Sequence, residues 1–230
     1  LRFDIKIDTD SRTVTDDKDT VDTADDLLYR VHLDNSKVIA SSALGYSTTS
    51  KRTGFTKPDG YEASTKQLAV FCHPTGDDVG RYAEASIVGS NIEFDGDWTG
   101  KDLTVGYLYD YEVEFPTIFK VQSNQEQSIA DMTASLIVHR MQLHFGANGL
   151  YETTLKRKGK PDYSELWEPP LASLYSSNAV PILEEATRSI PVYERNKNVN
   201  VTLKSTHPTP ATLYSMSWEG DYTTNYYKRV

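Results

Sequence analysis

The sequence has little of what covalent stapling or cofactor chemistry needs. Among 230 residues there is one cysteine, Cys72. A single thiol makes no intrachain disulfide and no cysteine-based metal site. It fits a reducing compartment, or a particle assembled in one. No apolar run approaches the roughly 18–20 residues that a membrane-spanning helix requires. No signal-peptide pattern opens the chain. Basic charge is also short: 24 Lys and Arg stand against 33 Asp and Glu, a net charge of −9. Ordinary nucleic-acid binding sets clustered cations against phosphate, so this balance argues against it. An acidic surface keeps a protein soluble and repels phosphate. Helical periodicity is scarce as well, and only residues 23–28 and 182–188 read as short helices.

What the chain does have is tyrosine, 15 of them against 7 Phe and 3 Trp. Tyrosine pairs an apolar body with a polar tip, which suits half-buried sheet faces and subunit interfaces. It also favours strands. Period-two alternation, one face apolar and one wet, recurs along the chain. Leu1, Phe3, Ile5 and Ile7 alternate with charged residues, and Leu27, Tyr29, Val31 and Leu33 alternate with Leu28, Arg30, His32 and Asp34. The clearest run is Leu103, Val105, Tyr107, Tyr109, Tyr111, Val113 and Phe115, read as one continuous strand. Ile137, His139, Met141, Leu143 and Phe145 form another line, and Val199, Val201 and Leu203 a third.

Between these runs lie turn signals. Asp59-Gly60 and Asp95-Gly96 read as type I′ turns. Gly76-Asp77-Asp78, Ala147-Asn148-Gly149 and Lys158-Gly159-Lys160-Pro161 read as loops, and Pro169-Pro170 as an extended kink. The Asp-rich stretch 8–26 reads as a solvated loop. Many short strands with turns between them predict an all-β protein, a β-sandwich or barrel-like set of antiparallel sheets with few short helices. A boundary near Gly100 divides it into a β-rich segment, 1–102, and a C-terminal antiparallel β domain, 103–230. The chain opens at Leu1, directly in a strand pattern, and reads as a piece of a longer polypeptide. A chain of this length buries roughly 70–75% of its unfolded surface and folds without a metal.

Motifs of catalysis and metal binding fail one by one. Asp8 and Asp10 begin a calcium-loop pattern, but Arg12 occupies the next ligand position and no glycine follows. The histidines are His32, His73, His139, His144 and His207. His139 and His144 are five apart, which puts them on opposite faces of a regular strand. His139, among Ile137, Met141 and Leu143, reads as a hydrogen-bonded core residue. Cys72-His73-Pro74 sets a thiol beside an imidazole, but neighbours on a strand face away from each other, and Cys72 reads as a buried structural residue. No Gly-x-Ser-x-Gly elbow occurs, since Val88-Gly89-Ser90-Asn91 has one glycine. Gly100-Lys101-Asp102 fails as a phosphate loop, with Asp95 in the first glycine position. Glu112 with Glu114, and Glu184 with Glu185, are carboxylate pairs; the first fits a wet strand face. Asn200-Val201-Thr202 is a glycosylation sequon without a secretory signal.

The C-terminal end reads Leu203-Lys204-Ser205-Thr206-His207-Pro208-Thr209-Pro210, then a strand, then Trp218-Glu219-Gly220-Asp221-Tyr222, closing on Tyr226 and Tyr227. It resembles the C-terminus of the tail tubular protein B, or nozzle, family of short-tailed bacteriophages. There a strand, a proline-bearing loop and a second strand lead to a Trp-Glu-Gly-x-Tyr signature. Val105-Gly106-Tyr107, Tyr111, Phe115-Pro116-Thr117 and Gly149-Leu150-Tyr151 resemble the central strands of the same family. The resemblance covers about 103–230, and 1–100 is expected to belong to a propeller-like or platform region.

The resemblance implies a structural subunit in the virion tail, assembled in the bacterial host cytoplasm. It implies a homo-oligomer, a ring of six, forming part of the channel for genome ejection. It implies contacts to the adaptor ring (tail tubular protein A) and to tail fibres, and double-stranded DNA passing without specific binding. It carries no catalytic residue, no cofactor and no metal. The signature residues are Trp218, Glu219, Gly220 and Tyr222. Trp218 is expected in a core or clamp position. Glu219 is expected to bond a neighbouring backbone or to stand as a solvated turn carboxylate. A second reading stays open, a receptor- or carbohydrate-binding β-sandwich module of a phage tail, which exposed aromatics and carboxylates in a cleft would favour.

Overall fold

The computed structural model describes residues 12–16, 21, 24, 27–62, 66–72, 81–124, 127–167 and 182–224. The expectations for Leu1 to Ile7, Asp8, Asp10, His73, Gly76-Asp77-Asp78, Pro169-Pro170 and Tyr226-Tyr227 lie outside them. The fold is all-β, with antiparallel pairing throughout.

The first unit is a seven-stranded sheet. Its strands are β3 (Asp34–Ile39), β4 (Gly45–Ser47), β5 (Arg52–Thr56), β6 (Leu68–Cys72), β7 (Tyr82–Val88), β8 (Asn91–Asp95) and β9 (Leu103–Tyr107), in the spatial order β3-β9-β6-β7-β8-β5-β4. Two hairpins flank the sheets: β1 (Arg12–Asp16) with β2 (Leu27–Val31), and β11 (Val121–Asn124) with β12 (Gln127–Ala130). The uncharged sequence of β6, Leu-Ala-Val-Phe-Cys, is buried along its whole length, as a strand covered on both faces must be. Leu68, Val70 and Cys72 face one core with Phe55, Ile92, Phe94, Trp98, Leu103 and Val105. Ala69 and Phe71 face the other way, against Val31 and Leu33. Gly106 permits that second layer to close: a Cβ there would lie 2.6 Å from the Leu33 Cβ.

The second unit is a two-sheet sandwich. One sheet is β10 (Tyr111–Glu114), β17 (Val199–Ser205), β14 (Tyr151–Arg157) and β15 (Tyr163–Trp167), ordered β10-β17-β14-β15. The other holds the longest strands, β13 (Ser135–Asn148) between β16 (Ala186–Arg195) and β18 (Ala211–Thr223). Their inner faces share one core: Val138, Met141, Leu143 and Phe145 from β13 meet Tyr151, Leu155, Val201 and Leu203 from the opposite sheet. Tyr151 stacks on Phe145 at 4.4 Å between ring centroids, and its burial pushes the phenol up to about 12. The units touch where the His32 N–H donates to the Pro208 carbonyl at 2.8 Å. The Tyr82 and His207 rings also meet there, at 5.2 Å.

Several expected elements differ. The Leu103-to-Phe115 run is two strands in two sheets, interrupted at residues 108–110. In both halves the odd-numbered apolar residues face a core, so the alternation carries no trace of the break. It comes instead from long-range pairing: the Leu108 N–H bonds the Gln67 carbonyl, whereas Tyr111 opens a ladder with Ser205. Strand β9, which a boundary at Leu103 assigns to the second unit, pairs with β3 and β6 of the first. Neither short helix forms over its described residues. Leu27 and Leu28 lie in β2, and 182–188 contains a bridge from Leu183 to Asn148 and the start of β16; sheet partners override weak local propensity. Arg12–Asp16, inside the expected acidic loop, is strand β1. Ala147 and Asn148 end β13 rather than forming a loop. Gly60 and Gly96 have positive φ, 92° and 94°, but neither closes a two-residue hairpin. A tight two-residue hairpin closes instead at Gly89-Ser90, between the paired residues Val88 and Asn91.

Trp98 anchors the first core. It is fully buried, meets Phe94 edge-on at 5.4 Å, donates from Nε1 to the Asp95 carbonyl at 2.9 Å and lies under the Arg81 guanidinium. Trp98→Ala is expected to cost about 3–5 kcal/mol of unfolding free energy in urea titration; a loss within 1 kcal/mol would contradict this placement.

Candidate functional site

The sheet β16-β13-β18 carries the C-terminal signature, and a break in its pleat organises it. Between Val138 and Arg140 the register shifts against both neighbours. His139 has no opposite residue on β18, where Val138 pairs with Gly220 and Arg140 with Glu219. On β16, Val192 and Tyr193 together oppose it, with Tyr193 at φ 46°. This is a β-bulge, which twists strands and re-aims side chains. It switches the buried line of β13 from Leu136 and Val138 to Met141, Leu143 and Phe145.

The signature residues divide the work of that bulge. Trp218 packs against the second core. Gly220 lies where the bulged backbone comes closest, and a Cβ there would stand 2.1 Å from the Ile137 carbonyl oxygen. Glu219 lies on the outer face and receives the Arg140 guanidinium bidentately, Nε to Oε2 at 2.7 Å and Nη2 to Oε1 at 2.8 Å. Those bonds hold its carboxyl below the usual range. Glu219 is therefore a strand residue in a side-chain fork, neither a turn carboxylate nor a backbone acceptor. Asp221 meets Nε2 of His139 at 3.2 Å.

Tyr222 packs inward beneath the Lys120 ammonium and donates its hydroxyl to Asp131 Oδ2 at 2.7 Å. Asp131 also accepts from Thr133 and the Ala134 N–H. The Tyr222 hydroxyl and then Thr133 hold its carboxyl down to about 2.

The bulge also re-aims the histidines. His139 is half-exposed rather than a core residue, and it stacks on Tyr193. His144 bonds Thr187 and Ser217, at 3.2 and 3.3 Å. Contrary to the regular-strand expectation, both lie on the outer face. At one end of that face Tyr214, 68% exposed, lies across Gly146. Sequence reasoning missed Arg140, His139 and Asp221 as neighbours, because only the register brings them together.

The other candidates stay apart. Cys72 is fully buried in the first core. Asp102 accepts from the Ser41 N–H at 2.8 Å. Glu112 and Glu114 stand on the exposed side of β10; Glu114 accepts from the sequon residue Asn200, which lies in β17. Glu184 and Glu185 are exposed. Among the described residues, no three His, Cys, Asp or Glu side chains gather to hold a metal ion. No helix among them is long and apolar enough to cross a membrane.

The chain is an antiparallel all-β scaffold with the C-terminal signature in one of its longest strands. The family model for the bacteriophage nozzle protein matches residues 6–229, nearly the whole chain, and the chain belongs to that family. The match extends past the C-terminal part where the resemblance was legible. No curated protein matches the sequence. The protein is thus a structural component of the phage tail, carried in the virion.

Two outcomes follow. Gly220→Ala overpacks the bulge and is expected to cost about 1–3 kcal/mol in denaturant titration; a neutral effect would show that the backbones are not in contact. Asp131 has a depressed folded value. Its contribution is therefore fully present above the ordinary carboxylate value of 3.8 and is lost as pH falls through about 2. In Tyr222→Phe the Asp131 value rises toward normal. The melting-temperature gap from wild type is expected to be constant above about pH 4 and to close toward pH 2. A gap that widens on acidification would refute the pairing.

Proposed function

We propose that the chain is a subunit of the tail nozzle, one of six in a ring below the adaptor, forming part of the channel through which the genome leaves. The observation that carries this reading is the family match over residues 6–229. The ring assembles in the host cytoplasm and joins the adaptor (tail tubular protein A) and the tail fibres. Its role is mechanical, and no residue is assigned a catalytic one.

The N-terminal unit serves as the platform or propeller-side segment of a longer subunit. The working division between the units falls at residues 108–110, where the chain leaves the first sheet. Double-stranded DNA passes without specific binding. The net charge of −9 favours passage without adhesion, and a basic lumen in the assembled ring would overturn this point.

Mass photometry of the full-length protein, alone and with its adaptor ring, tests the reading. A closed ring, or one that forms only on the adaptor, is the expected result. A stable monomer that ignores the adaptor and binds host surface glycan would replace it with the receptor-binding reading.

A further inference from the structure

The two outer strands of the signature sheet are unlike each other. Strand β18 runs thirteen residues without a Lys, Arg or Pro. Among the described residues only β13 pairs with it. The only charges of β18, Glu219 and Asp221, are acidic, so this long edge is a template for a strand that brings a cation. Strand β16, the opposite edge, carries Pro191, the left-handed Tyr193 and Arg195. Both strands run antiparallel to β13, so they are parallel to each other. They also share levels. Ile137 of β13 faces Arg195 on one side and Asp221 on the other, and His144 faces Thr187 and Ser215.

A rotational ring is heterologous, so each copy offers one edge and receives the other. With the strands inclined at the same angle to the ring axis in every copy, β18 of one copy meets β16 of the next pointing the same way. Arg195 then comes beside Asp221 and Glu219, so the charges on the two edges complement each other. The Asp221 side chain is 75% exposed while it faces His139, which leaves it room for a second cation. Pro191 lacks an N–H and leaves one ladder bond unmade in a ten-residue strand, so the junction is carried by the rest of the edge.

We infer that β18 of each copy pairs in parallel with β16 of a second copy of this chain, so that the three-stranded sheets join edge to edge into one closed tube. The inference rests on the ring reading above. A ring of six closes roughly eighteen strands, a size at which a barrel encloses an aqueous channel. The four-stranded sheet packs on one face of this wall and stands outside it. The other face, with Arg140 forked to Glu219, His144 between Thr187 and Ser217, and Tyr214 over Gly146, lines the bore.

Disulfide trapping tests the junction in full-length rings assembled on the adaptor. The native Cys72 is buried and leaves a clean background. Arg195→Cys is combined in turn with Asp221→Cys and with Thr223→Cys, then oxidised. Within one copy these positions flank β13, roughly two strand spacings of about 4.8 Å apart, too far to bridge. At least one pair is expected to give a covalent ladder reaching the full ring. As a second readout, Arg195→Asp is expected to lower ring yield at least threefold, and adding Asp221→Arg to restore it.

Wild-type rings that form normally while neither cysteine pair cross-links and the charge swap fails to rescue would overturn the inference and leave the ring reading intact. Covalent dimers from Asp221→Cys alone would also overturn it, by showing β18 against β18. A wild-type chain that makes no ring even on the adaptor would sink the ring reading, and this junction with it.

Discussion

The register shift at His139 is the constraint on which the C-terminal half depends. Without it, Ile137 and His139 would continue the line of Met141, Leu143 and Phe145 and press polar atoms into the core; unpaired polar burial costs about 1–3 kcal/mol per group. With it, the apolar line of β13 stays continuous across the break, and the displaced side chains become an outer-face cluster. The neighbours are shaped to this one residue. Gly220 yields space to the bulged backbone, and Tyr193 takes a left-handed conformation opposite it. Arg140 and Glu219 clasp across the ladder beside it. A bulge inside a sheet needs such fitted neighbours on both sides, because a pleat cannot be interrupted in one strand alone.

The same sheet binds the molecule together through its loops. Lys160, in the hairpin between β14 and β15, reaches Glu194 of β16 at 2.9 Å. That ammonium, with the Arg195 N–H, holds the Glu194 carboxyl down to about 2. The proline-bearing loop before β18 meets the first unit through Pro208 and His207, so the strand that carries the signature starts from the joint between the units. A displacement at that joint would reach β18 within a few residues. Exposed ion pairs of this kind add little stability singly, and their value here is geometric.

The fold class was legible because strand alternation is a local signal. Val199, Val201 and Leu203 line up as their spacing implies, and the proline loop does precede a strand ending in Trp-Glu-Gly-x-Tyr. What failed were properties set by distant partners. The break at residues 108–110 is invisible because Tyr107 and Tyr111 keep the same phase. The short helices at 23–28 and 182–188 rested on local propensity and gave way to β2, to the Asn148 bridge and to β16. The signature was recognisable by residue type, but its mechanics were not. That Glu219 seeks Arg140, and that Gly220 is there to spare Ile137, follow from a register that no spacing rule supplies. His139 was misassigned for the same reason, since one inserted residue reverses every face assignment beyond it.

Strand order also sets a schedule for synthesis. Arg140 and Glu219 are 79 residues apart in the chain. At bacterial elongation rates of about 5–20 residues per second, the ribosome takes roughly 4–16 s to travel between them. Throughout that interval β13 has emerged with its apolar line of Met141, Leu143 and Phe145 but without the strand that completes its sheet. The nascent sandwich is therefore at its stickiest while the residues between Arg140 and Glu219 are being made, when neighbouring chains on the same message present the same unfinished edge. Changes in β18 would act first on the yield of soluble subunit, before any effect on the finished particle.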